Sequence, residues 1–192
     1  HVIQALPEIC RHHPNTVYLI VGQTHPSAQQ QEKESYREEL RELAKSLGVA
    51  QAIQFVNKYL TKEEIKHYLA LSDIYITPYL NPHQICSGTL AYAMAAGKAM
   101  VSTPYLYAKF LLDNGRGLLV DFRRPQEIAR AANRIFDEPG LPSRLETRAL
   151  AYGKQLLWPA VGAQYRALFL SVLQGPREVF SDIRTTISPA VA

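Results

Sequence analysis

The sequence is poor in the residues that announce chemistry. Only two of its 192 residues are cysteines, Cys10 and Cys86, too few for a disulfide framework, which points to a reducing compartment. No Cys/His spacing suits zinc, no Asp-x-Asp pair occurs, and no ordering of Ser, His and Asp gives a nucleophile cue. The Gly-x-Gly-x-x-Gly fingerprint of nicotinamide and flavin binding is missing, and so is a P-loop. No apolar run approaches the ~20 residues of a membrane-spanning helix, and no signal peptide opens the chain. Internal repeats and low-complexity segments are absent. Positive charge exceeds negative only mildly, 21 Lys and Arg against 17 Asp and Glu. These cations are scattered, which suits small anionic ligands and argues against a nucleic-acid stripe. The chain starts without methionine in the middle of a helical pattern, His1-Val2-Ile3-Gln4-Ala5-Leu6, and is expected to be a piece of something longer.

What is present is a regular alternation of helical and strand patterns. Val2, Ile3, Leu6, Ile9 and Cys10 have helical spacing, interrupted by Pro7. The run 17–22 is apolar throughout and ends in Gly22, the signature of a strand buried on both faces. Further strands are expected at 52–56, 73–78, 99–103 and 117–120. Helices are expected at 32–47, from the Thr61-Lys62-Glu63-Glu64 capping box onward, at 107–114, and at 125–137 with proline in its first turn. Two more follow around 142–154 and 159–173. The pattern predicts an α/β domain, a Rossmann-like parallel sheet with helices on both faces, over residues 1–174, followed by a tail at 175–192.

One stretch organises the rest, from Gln84 to Ala99. Ser87 is a good N-cap, Gly88 leaves room for close approach, and Gly97 suits the left-handed residue that closes a helix. The free N–H groups and dipole of such a start form an anion site. Ligands of open parallel sheets bind outside the carboxyl ends of the strands. The loops there are 22–25, 56–59, 78–88 and 103–105.

In that setting Tyr92-Ala93-Met94-Ala95-Ala96-Gly97-Lys98-Ala99 resembles the Glu-Ala-Met-Ala-x-Gly-x-Pro segment of retaining GT-B glycosyltransferases of the glycogen-synthase-like type. Residues 14–22, Phe55-Val56, 68–78 and 115–120 are similar to other segments of that family, in the right order, and Trp158 and Tyr165 to its closing helix. The resemblance runs from residue 1 to about 174. It implies the carboxy-terminal, donor-binding half of a two-domain enzyme, inactive alone. The donor sugar and diphosphate are then expected on Gln84, Ile85, Cys86, Ser87, Gly88, Thr89 and Leu90, and the nucleoside on Gly22, Gln23, Asn57, Lys58 and Tyr92. The two carboxylates of the family's Glu-x7-Glu motif fall on Gln84 and Tyr92, so both are replaced. The family's glycine-rich loop and Arg/Lys pair would lie before residue 1 or in the other half-domain.

The expected activity is transfer of a hexose from a UDP- or GDP-linked donor with retention, to an unidentified acceptor. No cofactor, no metal and no nucleic acid are expected, and no catalytic side chain is identified. The partners are the donor and a separate N-terminal acceptor domain, in the cytoplasm, with peripheral membrane association left open. Loss of both motif carboxylates motivates the alternative of a non-catalytic sugar-nucleotide-binding or interaction module. Simpler roles stand beside the individual expectations. Gln84 can bond local backbone, Tyr92 can be a half-buried helix-face aromatic, Gly22 can serve the turn alone, and Lys58 can face solvent. His25 reads as a solvated loop residue or a cleft residue, Cys86 as a small packing residue, and Trp158 as a core or interdomain anchor.

Overall fold

The apolar runs become short parallel strands. The computed structural model describes residues 1–23 and 30–174, so His25 and the tail 175–192 lie outside the described residues. Its elements are α1 (Val2–His12), β1 (Tyr18–Val21), α2 (Gln30–Ser46), β2 (Ile53–Val56), α3 (Lys62–Leu71), β3 (Ile74–Thr77), α4 (Gly88–Ala95), β4 (Ala99–Ser102), α5 (Leu106–Leu112), β5 (Leu118–Leu119), α6 (Pro125–Asp137), α7 (Leu141–Gly153) and α8 (Trp158–Gln174). All five strand segments fall where the sequence pattern puts them. Pro7 does not break α1 as its composition suggests. Its ring is on the exposed side while Val2, Ile3, Ala5, Leu6 and Ile9 are buried on the other, and that burial outweighs one lost backbone bond.

Among the described residues every hydrogen-bonded strand pair is parallel. β1 pairs with β2 in the register Tyr18 to Ile53, and β3 pairs with β4 in the register Ile74 to Ala99 and Thr77 to Ser102. β4 then pairs with β5 through Val101 and Leu118. The ladder is therefore in two pieces, β1–β2 and β3–β4–β5, with no pairing between β1 and β3. Periodicity in the sequence carries no information on strand order, so this break was not legible there.

The main core joins α1, α6 and the strands, with Leu6, Ile9, Val101, Ile128 and Ile135 among its buried residues. α4 is held separately, by Leu90, Ala93 and Met94, all fully buried, and by α7. Gly153 makes the α4–α7 approach possible. A Cβ there would stand 2.5 Å from the Met94 carbonyl oxygen and 2.7 Å from Ala95 Cα.

The chain divides into two compact units, His1–Gly153 and a second from Lys154 onward. In the second unit α8 follows a short 3-10 turn. Trp158, expected as a core or interdomain anchor, is 85% exposed, which removes the core role. No single described helix is long and apolar enough to cross a membrane.

Candidate functional site

The carboxyl end of β3 is tied down before the site loop begins. Thr77 Oγ1 and Ser102 Oγ, opposite each other in the ladder, are 2.8 Å apart and both buried. Ser102 Oγ also donates to the Thr77 carbonyl oxygen at 3.2 Å, and the Tyr105 hydroxyl lies 3.3 Å from Thr77 Oγ1. Thr103 Oγ1 donates to the Tyr79 carbonyl, fixing the first residue of the loop. A satisfied buried polar network of this kind resists distortion, because breaking one bond leaves its partners unsolvated.

The loop then folds back on the start of α5. Asn81 Oδ1 accepts from the His83 N–H at 3.0 Å, making an Asx turn. The Pro82 and Gln84 carbonyls accept from the Leu106 and Tyr107 N–H groups at 3.0 and 3.1 Å. Gln84 Nε2 donates to the Cys86 carbonyl at 2.9 Å, so its amide group realises the local-backbone role. Ile85 and Cys86 are exposed at the loop's outer edge. Cys86 is therefore not the packing residue the sequence suggested.

Ser87 caps α4 as its position predicts, Oγ accepting from the Leu90 N–H at 3.3 Å. Ser87 is 7% exposed and Gly88 and Thr89 are exposed beside it. Among the described residues no acceptor engages the Gly88 or Thr89 N–H, and an added Cβ on Gly88 would meet nothing within 4 Å. Two unengaged donors at the positive end of a helix, next to open space, can hold an anion. Leu90, expected with the others, offers neither group. Its N–H is taken by Ser87 and its side chain is in the core.

The Thr89 hydroxyl lies 3.4 Å from Ser87 Oγ. Burial pushes the phenol of Tyr75, on β3, well above its ordinary range. Tyr92 lies one turn beyond Gly88 on the same helix face and is 41% exposed.

The other expected residues form a second group at the ends of β1 and β2. Gly22, with φ of 136°, donates its N–H to the Val56 carbonyl at 3.0 Å, and the Lys58 N–H donates to the same oxygen at 3.0 Å. Gln23 and Asn57 are exposed there. The Lys58 ammonium is paired with Glu64, the carboxylate of the α3 capping box. That pairing spans six residues and a turn, and it gives Lys58 a protein partner in place of bare solvent. The hydrogen bond from Lys58, and then that from the Thr61 N–H, holds the Glu64 carboxyl down at about 2.

The residues missed by sequence reasoning are Tyr75, Thr77, Ser102, Thr103 and Tyr105. A signal was present for the first two, since Tyr75 and Thr77 alternate with Ile74 and Ile76 and so share one face of the strand.

The chain matches the family described as "Glycosyl transferases group 1" over residues 1–152. It belongs to that family. The D-inositol 3-phosphate glycosyltransferase of Streptomyces bingchenggensis (strain BCW-1) is 24% identical over 151 residues, covering 75% of this chain and 31% of that protein. The C-terminal domain of a glycosyl transferase group 1 family protein (LpcC) from Francisella tularensis has a TM-score of 0.65 at 19% identity, over 78% of this chain and 73% of that one. Anabaena HepE, solved with UDP and also with UDP-glucose, has a TM-score of 0.75 in its UDP complex at 22% identity, over 89% of this chain and 44% of that one. The group 1 chain thus has the fold of a GT-B half-domain and spans about a third of its curated relative. The family match ends just before Lys154, so Trp158 and Tyr165 lie beyond it.

Proposed function

We propose that this chain is the donor-binding half of a glycosyltransferase that moves a hexose, with retention and without a metal, from a nucleoside-diphosphate sugar to an acceptor selected by another domain. The observation that carries the reading is the pair of unengaged N–H groups at Gly88 and Thr89, at a capped helix start on the carboxyl edge of a parallel sheet. When the bond between the sugar's anomeric carbon and the diphosphate oxygen breaks, negative charge gathers on the departing diphosphate. Fixed backbone donors stabilise that charge without reorganising. The nucleoside would extend toward Gly22, Gln23 and Asn57, with Tyr92 beside the path. The UDP and UDP-glucose bound by Anabaena HepE support a uridine nucleotide as the first donor to test. The cysteine usage supports a cytoplasmic setting.

A second reading has its own observation. The Gln84 amide donates to its own loop, and Gln84 and Tyr92 stand where the resembled Glu-x7-Glu motif would carry its acids. This favours a binding module without turnover. Titration of the full-length protein, acceptor domain included, with UDP, followed by an assay for UDP-glucose hydrolysis, separates the readings. Binding with hydrolysis supports the transferase, binding without it the module, and no protection of the Gly88 region by UDP sinks both.

A further inference from the structure

The loop 79–86 rests on one short segment, 103–107, which leaves β4 and opens α5. The Thr103 hydroxyl donates to the Tyr79 carbonyl, and the Tyr105 ring packs on the Tyr79 ring with centroids 5.4 Å apart. The Leu106 and Tyr107 N–H groups hold the Pro82 and Gln84 carbonyls at 3.0 and 3.1 Å. Among the described residues every other hydrogen bond of the loop stays inside it, from Asn81 to His83 and Gln84 and from Gln84 to Cys86. The course of the loop is therefore set by the start of α5.

Of these anchors, the Thr103 hydroxyl is the hydrogen bond that a side chain alone decides. It belongs to a residue only 1% exposed, out of reach of any ligand, and it has a single proton to give. The other acceptor nearby, the Thr77 carbonyl at 3.4 Å, already receives the Thr103 N–H at 3.3 Å and the Ser102 hydroxyl at 3.2 Å. The proton is thus left for the Tyr79 carbonyl, which has no other donor among the described residues. A part-buried carbonyl deprived of its one donor is driven to move toward water, and Tyr79 carries the loop with it. That loop runs straight into Ser87, whose Oγ caps α4, and then into the open N–H groups of Gly88 and Thr89.

We propose that Thr103 is a positioning residue of the donor site: acting through Tyr79, its hydroxyl sets where the Gly88 and Thr89 amides stand. This rests on reading the α4 start as the diphosphate site. Fixed donors stabilise charge only where they already point. A misplacement of about 1 Å can cost on the order of 100-fold. The signal is a buried hydroxyl that contacts no ligand yet is needed for one to bind.

The test uses the full-length protein, acceptor domain included, with four substitutions. Thr103→Val keeps the size of the side chain and removes the hydroxyl, and Thr103→Ser returns it. Tyr79→Ala keeps the carbonyl bond and removes the ring held by Tyr105. Ile135→Val, in the core of α6, controls for lost stability alone. UDP affinity is measured by calorimetry, and amide exchange is read at Leu106 and Tyr107. Expected is UDP binding at least 10-fold weaker in Thr103→Val and at least 3-fold weaker in Tyr79→Ala, with Thr103→Ser and Ile135→Val within twofold of the parent. The Leu106 and Tyr107 amides should exchange at least 10-fold faster in Thr103→Val and at the parent rate in Thr103→Ser. Unchanged UDP affinity or unchanged exchange in Thr103→Val overturns the proposal and leaves the donor-site reading standing, as does an equal loss of affinity in Ile135→Val. Should Thr103→Val not fold, unchanged UDP affinity in Tyr79→Ala overturns it in the same way. A parent protein that does not bind UDP overturns both.

Discussion

α4 and α5 begin one strand apart on the same edge of the same three-stranded sheet, and their first amides meet different fates. At α5 the Leu106 and Tyr107 N–H groups are taken by the Pro82 and Gln84 carbonyls. At α4 Ser87 Oγ takes only the Leu90 N–H and leaves Gly88 and Thr89 without a protein acceptor among the described residues. The α3 start also leaves two amides, those of Lys62 and Glu63, without a protein acceptor among the described residues. There, however, the chain supplies its own negative charge, with Glu63 and Glu64 in the first turn and the Glu64 carboxylate accepting from the Thr61 N–H. A helix N-terminus is therefore a site only when the chain declines to fill it. The loop that closes α5 is also the loop that frames α4, so one set of contacts both removes one anion site and exposes the other.

The contrast can be broken in graded steps. Gly153→Val should have the largest effect on stability, because its side chain meets α4 backbone and α7 must move away. Overpacking of this kind is expected to cost about 3 kcal/mol. Urea unfolding should report it, and hydrogen exchange should rise at α4 more than at α5. Gly88→Asp places a carboxylate where the diphosphate charge would sit, in open space that accepts the side chain. Repulsion at about 6 Å and an effective dielectric near 20 predicts UDP binding on the order of 100-fold weaker. Calorimetry checks this, with Gly88→Ala expected to bind nearly as the parent does. Ser87→Ala should cost about 1 kcal/mol, the ordinary value of an N-cap, seen as a lower urea midpoint.

The smallest effect concerns α3. Glu64 ionises at about 2 in the folded chain against an ordinary 4.5. Its folded value is depressed, so its contribution is present above pH 4.5 and is lost as pH falls from about 4.5 to about 2. Thermal melts across that window should fall less steeply in Glu64→Gln than in the parent. The α4 start contains no titrating group that would do the same.

Much of this was legible because local pattern and local structure agree. The apolar runs around Ile20, Val56, Ile76 and Val101 form strands as expected, although only β4 is buried throughout and β1, expected to be buried on both faces, is half-buried. The Thr61 capping box and the Ser87 cap form as their sequence positions predict. What escaped is non-local. Nothing in a single sequence says that Pro82 and Gln84 carbonyls will reach Leu106 and Tyr107, that Lys58 will turn to Glu64, or that β1 and β3 will stand apart. For Trp158 the core role was misjudged because size favours burial, while its place at the first residue of α8 leaves it exposed. The side-chain part of the expected site was the weaker part. Leu90 and Lys58 are occupied elsewhere and the Gln84 amide donates locally, whereas the backbone groups of Gly88 and Thr89 stand open.

The central claim is that α4, and not α5, presents amides to a diphosphate. Amide chemical shifts of Gly88, Thr89, Leu106 and Tyr107, followed by NMR through a UDP titration, test it most directly. The account predicts downfield, saturable shifts at Gly88 and Thr89 with Leu106 and Tyr107 unmoved. Shifts at the α5 amides alone, or at none of the four while UDP binds, would contradict it.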